Sequence, residues 1–495
     1  MLNFNYKLLS QITTTLLTLW VSDTFATALP VTSQTYQNEQ AIVFETMDGQ
    51  KTAAFSGFLQ VPENRANPAS RKISIHYVRF PATGNQAGSP IVYLSGGPGG
   101  SGISTAKYPN FRFPLFMALR EFGDVIALDQ RGTGLSKDTP TCQSSQVTPM
   151  TQVQTADEIN ALYKQAAKEC TDFWQQAGVD ILGYTTVQNA HDLNALREHL
   201  DAKKITLWGI SYGSHLALAA LKLFPNEIDK VVIASAEGLN QTVKLPAQTD
   251  AYFERLQHAI NTQPNAAALY PDLKALIKRV HAKLELQPIA VKLTQKDGPE
   301  LDFLFQKHHL QALASGMIAD PQRFVGLLLK LYNDLDTGQV EMLNAVLKRG
   351  YFNDNRIKFE AMPFAMDIAS GISDARLTKV NEQAKTSLLG LALNFPMPQL
   401  NKQVPNLDLG DGFRTQPSSS VPTLLLSGTL DGRTYLASQY EATAGLTNLQ
   451  KVTVQNAGHN LFMSSPDVTE VIKEFLAGKP LSHTTITIEL PDFSK

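Results

Sequence analysis

Cysteine is nearly missing from this chain: two of 495 residues, with only three tryptophans. Two cysteines cannot build a disulfide-framed scaffold, so the fold must rest on a hydrophobic core. An excess of one charge is missing too. Lys and Arg number 43 against 45 Asp and Glu, for a formal net charge of −2. That removes the electrostatic case for nucleic acid or an anionic membrane surface. No internal repeat and no low-complexity block is present. Hydrophobic residues make up 43% and charged residues 18%. This length and composition suit one large α/β domain with an insertion, or two or three smaller domains.

The N-terminus reads as a targeting segment. Lys7 precedes the apolar run "LLSQITTTLLTLWV" (8–21), and Ala26-Thr27-Ala28 has the small-x-small form of a cleavage site. The run is too short to cross about 30 Å of hydrocarbon. Residues 1–28 are therefore expected to be a signal peptide, with an exported mature chain, periplasmic or secreted, and no membrane span left after cleavage. Export makes a Cys142–Cys170 disulfide plausible, stabilising by roughly 3–4 kcal/mol; two buried free thiols are the other reading. Nothing clusters with these cysteines at ligand spacing, so neither a metal nor a cofactor is expected.

Alternation and β-branching predict strands at 72–80, 91–95, 124–129, 205–210, 230–235, 423–428 and 451–456. Several are unbroken apolar runs, as expected of parallel strands buried on both faces. Helical periodicity lies between them at 189–200, 215–224 and 467–477, which implies a parallel sheet with right-handed crossovers. From about 240 to 415 the pattern turns helix-rich, with segments at 252–261, 273–286, 321–335 and 382–395. The Pro/Ser-rich "RTQPSSSVP" (414–422) leads back to the sheet. The expected plan is a core at 29–239 and 416–495 with a helical lid inserted at 240–415. The alternating tail (482–493) could add a last edge strand.

Strand 205–210 runs into "GISYGS" (209–214) and at once into a helix. This is G-x-S-x-G, with Gly209, Ser211 and Gly213. A serine at such a bend is held in a strained conformation with its hydroxyl free above the sheet, and small neighbours let strand and helix nearly touch. An elbow serine needs a base and an orienting acid, which follow in the order acid, then His. Asp431 stands just past the strand 423–428 and His459 just past 451–456, at the same sheet edge as Ser211. His459 would take the serine proton, and Asp431 would hold the imidazole. His215 lies too close along the helix to reach the serine oxygen. His191, His199, His258 and His281 read as surface residues. Asp408 and Asp411 follow no strand. After strand 91–95 comes "SGGPGGSG" (95–102), whose backbone can aim an N–H from Gly97 or its neighbour at a developing oxyanion, with the N–H of Tyr212 as the second donor. No Gly-Lys-Ser/Thr ending supports a phosphate loop.

Taken together, "GGPGGSG" (96–102), "LDQRGTGLS" (128–136), "GISYGS" (209–214), "SGTLDGRT" (427–434) and "AGHN" (457–460) resemble the α/β-hydrolase serine peptidases of the prolyl aminopeptidase and tripeptidyl aminopeptidase type. "FLQVPENRANPASRKISIHYVRFPA" (58–82) and "YTTVQNAHDLNALREHL" (184–200) extend the resemblance over most of the mature chain, most weakly in the lid. It implies the α/β-hydrolase fold and an exopeptidase that releases short N-terminal units through an acyl-enzyme. Ser95 stands where the family has a histidine. Ala365 stands where it has a cysteine, two residues before Asp367. An aminopeptidase also needs a carboxylate for the substrate's α-ammonium. Asp367 and Glu237 are the two candidates, and either could instead be a surface acid. Arg131 is expected to brace its loop by pairing with a carboxylate. The triad fixes acyl chemistry but leaves the acyl group open. The alternatives are an esterase or amidase on small substrates and an inactive hydrolase fold used for binding. The partner expected is a peptide or small acyl substrate.

Overall fold

The computed structural model describes residues 35–85, 88–294 and 298–495. The expected signal segment 1–28 lies outside the described residues. Ten strands form one sheet: β1 (Gln40–Glu45), β2 (Lys51–Pro62), β3 (Lys72–Phe80), β4 (Ile91–Leu94), β5 (Val125–Leu128), β6 (Ile205–Ile210), β7 (Ile228–Ala234), β8 (Thr423–Gly428), β9 (Leu449–Gln455) and β10 (Thr485–Thr487). Their spatial order is β1-β2-β3-β5-β4-β6-β7-β8-β9-β10. The first three and the β3–β5 pair are antiparallel; every pairing from β5 through β10 is parallel. β4, β5, β6 and β8 are buried at every residue, which is why they read as continuous apolar runs. The chain leaves β4 toward β5 and returns to its other side as β6. The crevice at this reversal is where ligands of open α/β sheets bind.

The main helices are α1 (Ala156–Gln176), α2 (Thr186–His199), α3 (Tyr212–Leu223), α4 (Pro246–Asn261), α5 (Leu273–Leu286), α6 (Lys307–Met317), α7 (Gly326–Asp336), α8 (Ala361–Ser370) and α9 (Pro466–Leu476). Apolar side chains pack both sheet faces, α2 and α3 over one and α9 over the other. A third apolar cluster lies within the segment between β7 and β8, built from α4 to α7. It takes in Leu430 and Tyr435, which flank Asp431, and so is fused to the loop that follows β8. α8 lies inside the expected insertion but packs with the first sheet face. The disulfide Cys142–Cys170 ties a strand at Cys142–Val147 to α1, and that strand pairs with Arg356–Phe359.

Three local expectations differ. The β1–β2 pair was not legible, because Gly57 and small residues interrupt β2. Gly57 is needed there, since a Cβ would lie 2.5 Å from the Tyr77 ring. The helix expected at 321–335 splits into a π-helical turn at Pro321–Val325 followed by α7. The helix expected at 382–395 stops at Ala384, with Gly390 at φ 53° and Pro396 beyond.

Candidate active site

Ser211 caps α3 at φ 56°, ψ −125°, outside the regions open to L-residues without strain. What holds it is visible. Its N–H donates to Ala234 O (3.2 Å), and its carbonyl accepts from Ser214 N (2.8 Å) and His215 N (3.2 Å). A Cβ on Gly209 would meet Gly213 O at 2.6 Å, and one on Gly213 would overlap Leu94 O. The two glycines are thus the condition for α3 to cross β6 and β4 this closely. Tyr212 opens α3, so its N–H has no intrahelical acceptor. Gly96 lies against the serine: a Cβ there would be 3.1 Å from Ser211 Cβ. Gly97 follows at φ 129°. The glycine loop is fixed from below. Asn189 Nδ2 donates to Gln130 Oε1 (2.7 Å), and Gln130 Nε2 donates to Ser95 O (2.9 Å).

Asp431 is fully buried beyond β8. It accepts from Arg433 N (2.8 Å), Thr434 N (2.9 Å) and Thr434 Oγ1 (2.7 Å). His459 Nδ1 lies 3.1 Å from both carboxylate oxygens. Burial pushes this carboxyl up, but the His459 contact and the loop donors outweigh it and hold it below the usual carboxylate range. With Nδ1 so engaged, the neutral imidazole presents Nε2 as its acceptor, and among the described residues Nε2 has no hydrogen-bond partner. The end of β7 ties the two loops together. Ala234 O receives the Ser211 N–H, and the next residue, Ser235 at φ 50°, donates its hydroxyl to His459 O (2.8 Å). Sequence reasoning missed Ser235; a serine at a strand end was its only signal. The inserted segment also reaches the site. Ala319 O accepts from His459 N at 2.8 Å. Side chains on Gly458 and Gly432 would strike Pro321 and Ile318 O.

Glu237 and Asp367 lie close enough for their charges to act on each other. Glu237 is buried, with Lys244 Nζ 2.5 Å from Oε2, and its N–H donates to Ser214 Oγ (2.8 Å). Burial raises its pKa, but the charges of Lys244 and His215 prevail and lower it. Asp367, on α8, is 5% exposed. Its carboxylate accepts no hydrogen bond among the described residues. Burial and the neighbouring Glu237 charge push it up to about 7. A small cavity beside Glu237 is lined also by Gln241, Lys244, Arg376, Thr434 and Ser438, so it borders the Asp431 loop through Thr434.

The remaining candidates take structural places. His215 is buried, Nδ1 3.1 Å from Gly238 O and Nε2 3.0 Å from Ser370 Oγ. His281, expected at the surface, is buried with Nε2 2.9 Å from Tyr332 OH; burial pushes its pKa down to about 4. Asp408 and Asp411 both pair with Arg414. Arg131 is enclosed and holds Asp192 by two bonds, Nε 2.6 Å and Nη2 2.7 Å, so it braces the loop. No group of His, Cys, Asp or Glu side chains among the described residues is arranged to hold a metal ion.

A family described as the alpha/beta hydrolase fold matches residues 89–299, and one described as TAP-like protein matches residues 410–484. The chain is similar to the serine protease Hip1 of Mycobacterium tuberculosis, 31% identical over 196 residues, which are 38% of this chain and 36% of that one. It is similar to the tripeptidyl aminopeptidase of Streptomyces coelicolor, 27% identical over 36% of this chain and 34% of the other. The proline iminopeptidase of Arabidopsis thaliana is 26% identical over 43% of this chain and 40% of its own. The aligned stretches thus span little more than a third of the first two relatives.

Proposed function

From the premise that this chain has the α/β-hydrolase fold and a sequence similar to peptidases of the tripeptidyl and proline-iminopeptidase type, we propose that it is an exported serine aminopeptidase. Ser211 is the nucleophile, His459 the general base and Asp431 the orienting acid. The reading is carried by one observation. A serine strained at the β6–α3 bend and a His459–Asp431 pair on two other strand ends are joined through the end of β7.

Chemistry follows from the roles. Ser211 Oγ attacks the substrate carbonyl while its proton passes to His459 Nε2. Asp431 keeps Nδ1–H in place and stabilises the imidazolium. The negative charge on the carbonyl oxygen is met by the N–H groups of Tyr212 and Gly97, at the positive end of α3. The imidazolium returns its proton to the leaving amine. Water, deprotonated by the same histidine, then releases the acyl unit and restores the serine. Asp367 is the anchor for the substrate's α-ammonium. Glu237 already holds Lys244 and contributes its charge from behind. The disulfide fits export, because such bonds persist in oxidising compartments.

The test is Ser211→Ala, assayed on tripeptidyl and aminoacyl amides with free amines, on their N-acetylated forms and on short esters, beside labelling by a serine-reactive phosphonate. We expect a fold like the wild type, no labelling and a loss of about 10⁴–10⁶ in kcat. Wild-type turnover by the variant overturns the assignment. Wild-type cleavage of esters alone would point to an esterase, and an inert, unlabelled wild type to a binding protein.

A further inference from the structure

Helix α4, the first of the inserted segment, runs along the loop that carries Asp431. Thr249, Tyr252 and Arg255 recur every third residue and so form one stripe on this helix. The first and last of them bond to the segment 429–435. Thr249 Oγ1 and Tyr435 OH share a hydrogen bond of 2.7 Å. Arg255 Nε donates to Thr429 O (3.0 Å) and Nη1 to Ala251 O (3.2 Å). The guanidinium lies 6.0 Å from the centre of the Tyr252 ring. Thr429 and Tyr435 bracket Asp431, so α4 grips the acid loop on both sides of the carboxylate.

More is present than gripping needs. Arg255 Nη2 and Tyr252 OH are both buried without a hydrogen-bond partner. A cation half-enclosed here is costly unless an anion faces it. No carboxylate among the described residues lies within ion-pair distance of Arg255; the acids whose charges reach it are Asp431 and Glu254, with Tyr435 and Tyr252 beside it. The groups around Asp431 itself are His459, Arg433 and Thr434 on its own side, and Asp320, whose field meets that of Asp431 at Tyr252. No motif includes Arg255, and among the described residues it makes no hydrogen bond to the loops after β4 or β6.

We propose that Arg255 is a positioning residue for the Asp431–His459 pair: its Thr429 bond sets the acid loop, and its buried charge acts on the pair. This rests on the reading of Ser211, His459 and Asp431 given above. Two consequences follow. Loss of the bond loosens Asp431, and small misplacements of a catalytic group are expensive in rate. Loss of the charge makes the protonated imidazole easier to keep, so the active, neutral form appears only at higher pH. Loss of one nearby charge in a partly screened site moves such a step by about 0.5–1 pH unit.

The experiment measures the rate of covalent labelling by a fluorophosphonate against pH, together with kcat and KM, for wild type, Arg255→Met, Arg255→Gln and Arg255→Lys. Arg255→Met should lower the labelling rate and kcat about 10–100-fold, leave KM within about twofold, and move the acid limb to higher pH by about 0.5–1. Arg255→Gln keeps a donor for Thr429 O without the charge. It should show the same shift with a smaller loss, and it carries the test if the Met variant does not fold. Arg255→Lys should restore the wild-type acid limb. A folded neutral variant with the wild-type limb, or a loss that Lys fails to restore, overturns the proposal. If instead the wild type is not labelled, or Ser211→Ala is, the nucleophile reading fails and not this one.

Discussion

Asp431 and Asp367 are the same side chain in nearly equal enclosure, 0% and 5% exposed, and burial pushes both carboxyls toward the neutral form. They end on opposite sides of the ordinary value. Asp431 has two backbone N–H groups, a threonine hydroxyl and an imidazole around it, and it stays ionised. Asp367 faces another carboxylate and accepts no hydrogen bond among the described residues, so its pKa rises to about 7. Burial therefore does not choose the protonation state of an acid; the count of donors and the sign of the nearest charge do. On the function proposed above, the fully satisfied acid keeps one orientation through the reaction, and the poorly satisfied one pairs with the substrate's amine.

The comparison breaks most sharply at Asp431. Asp431→Asn keeps the shape but offers the imidazole an amide, which can hold it in the wrong tautomer, so kcat should fall about 10⁴-fold on every substrate. A loss below about tenfold would mean that Asp431 only shapes its loop. Its pH linkage has the sign of a depressed acid. The stability it contributes is present above the ordinary carboxyl range and is lost as pH falls through its lower folded value.

Asp367→Asn comes next and carries the opposite sign. Removing the proposed anchor should weaken kcat/KM on free-amine amides by about 2–4 kcal/mol, while N-acetylated amides, esters and phosphonate labelling are spared. An equal loss on both substrate types would make Asp367 a structural acid. The same variant should be more stable than wild type where the wild-type carboxyl is unhappy. A folded pKa of about 7 against an ordinary 3.8 means that wild-type stability falls as pH rises between those values. Asp367→Asn should therefore gain up to about 4 kcal/mol relative to wild type at pH 8 compared with pH 4, read from denaturant unfolding at the two pH values. Equal unfolding differences at both would show that Asp367 does not titrate as the geometry implies.

Glu237→Gln gives the smallest effect and sharpens the comparison instead of breaking it. The Glu237 charge helps to push Asp367 up. Neutralising it should move the Asp367-dependent step of the stability–pH curve downward by about 1 pH unit, with Lys244 left facing Asp367 instead of Glu237. An unmoved step would show that burial alone raises Asp367.

Much of the arrangement was legible because it is local. The elbow needs a strand, Gly209, Ser211, Gly213 and a helix in immediate succession, and the backbone clash that demands each glycine acts over a few residues. Asp431 and His459 could be placed because each follows its own strand by a short loop, and parallel strands deliver their following loops to one edge. Arg131 was legible as a brace, and α5 was placed residue for residue. The segment between β7 and β8 was least legible. His281 looked solvent-facing from its charged neighbours along the helix, yet its contact is Tyr332, 51 residues on.

By itself, then, the sequence determined the class of sheet, the strained serine and the two loops that face it, since those follow from periodicity, glycine sterics and chain order. Only the tertiary structure decided how the parts are tuned. Ser235 bridges to His459 across 224 residues, Arg255 reaches Thr429 across 174, and Asp367 meets Glu237 from a distant helix. Desolvation, donor count and the field of a neighbouring charge are sums over everything that surrounds a group in space, and no spacing along the chain contains that sum.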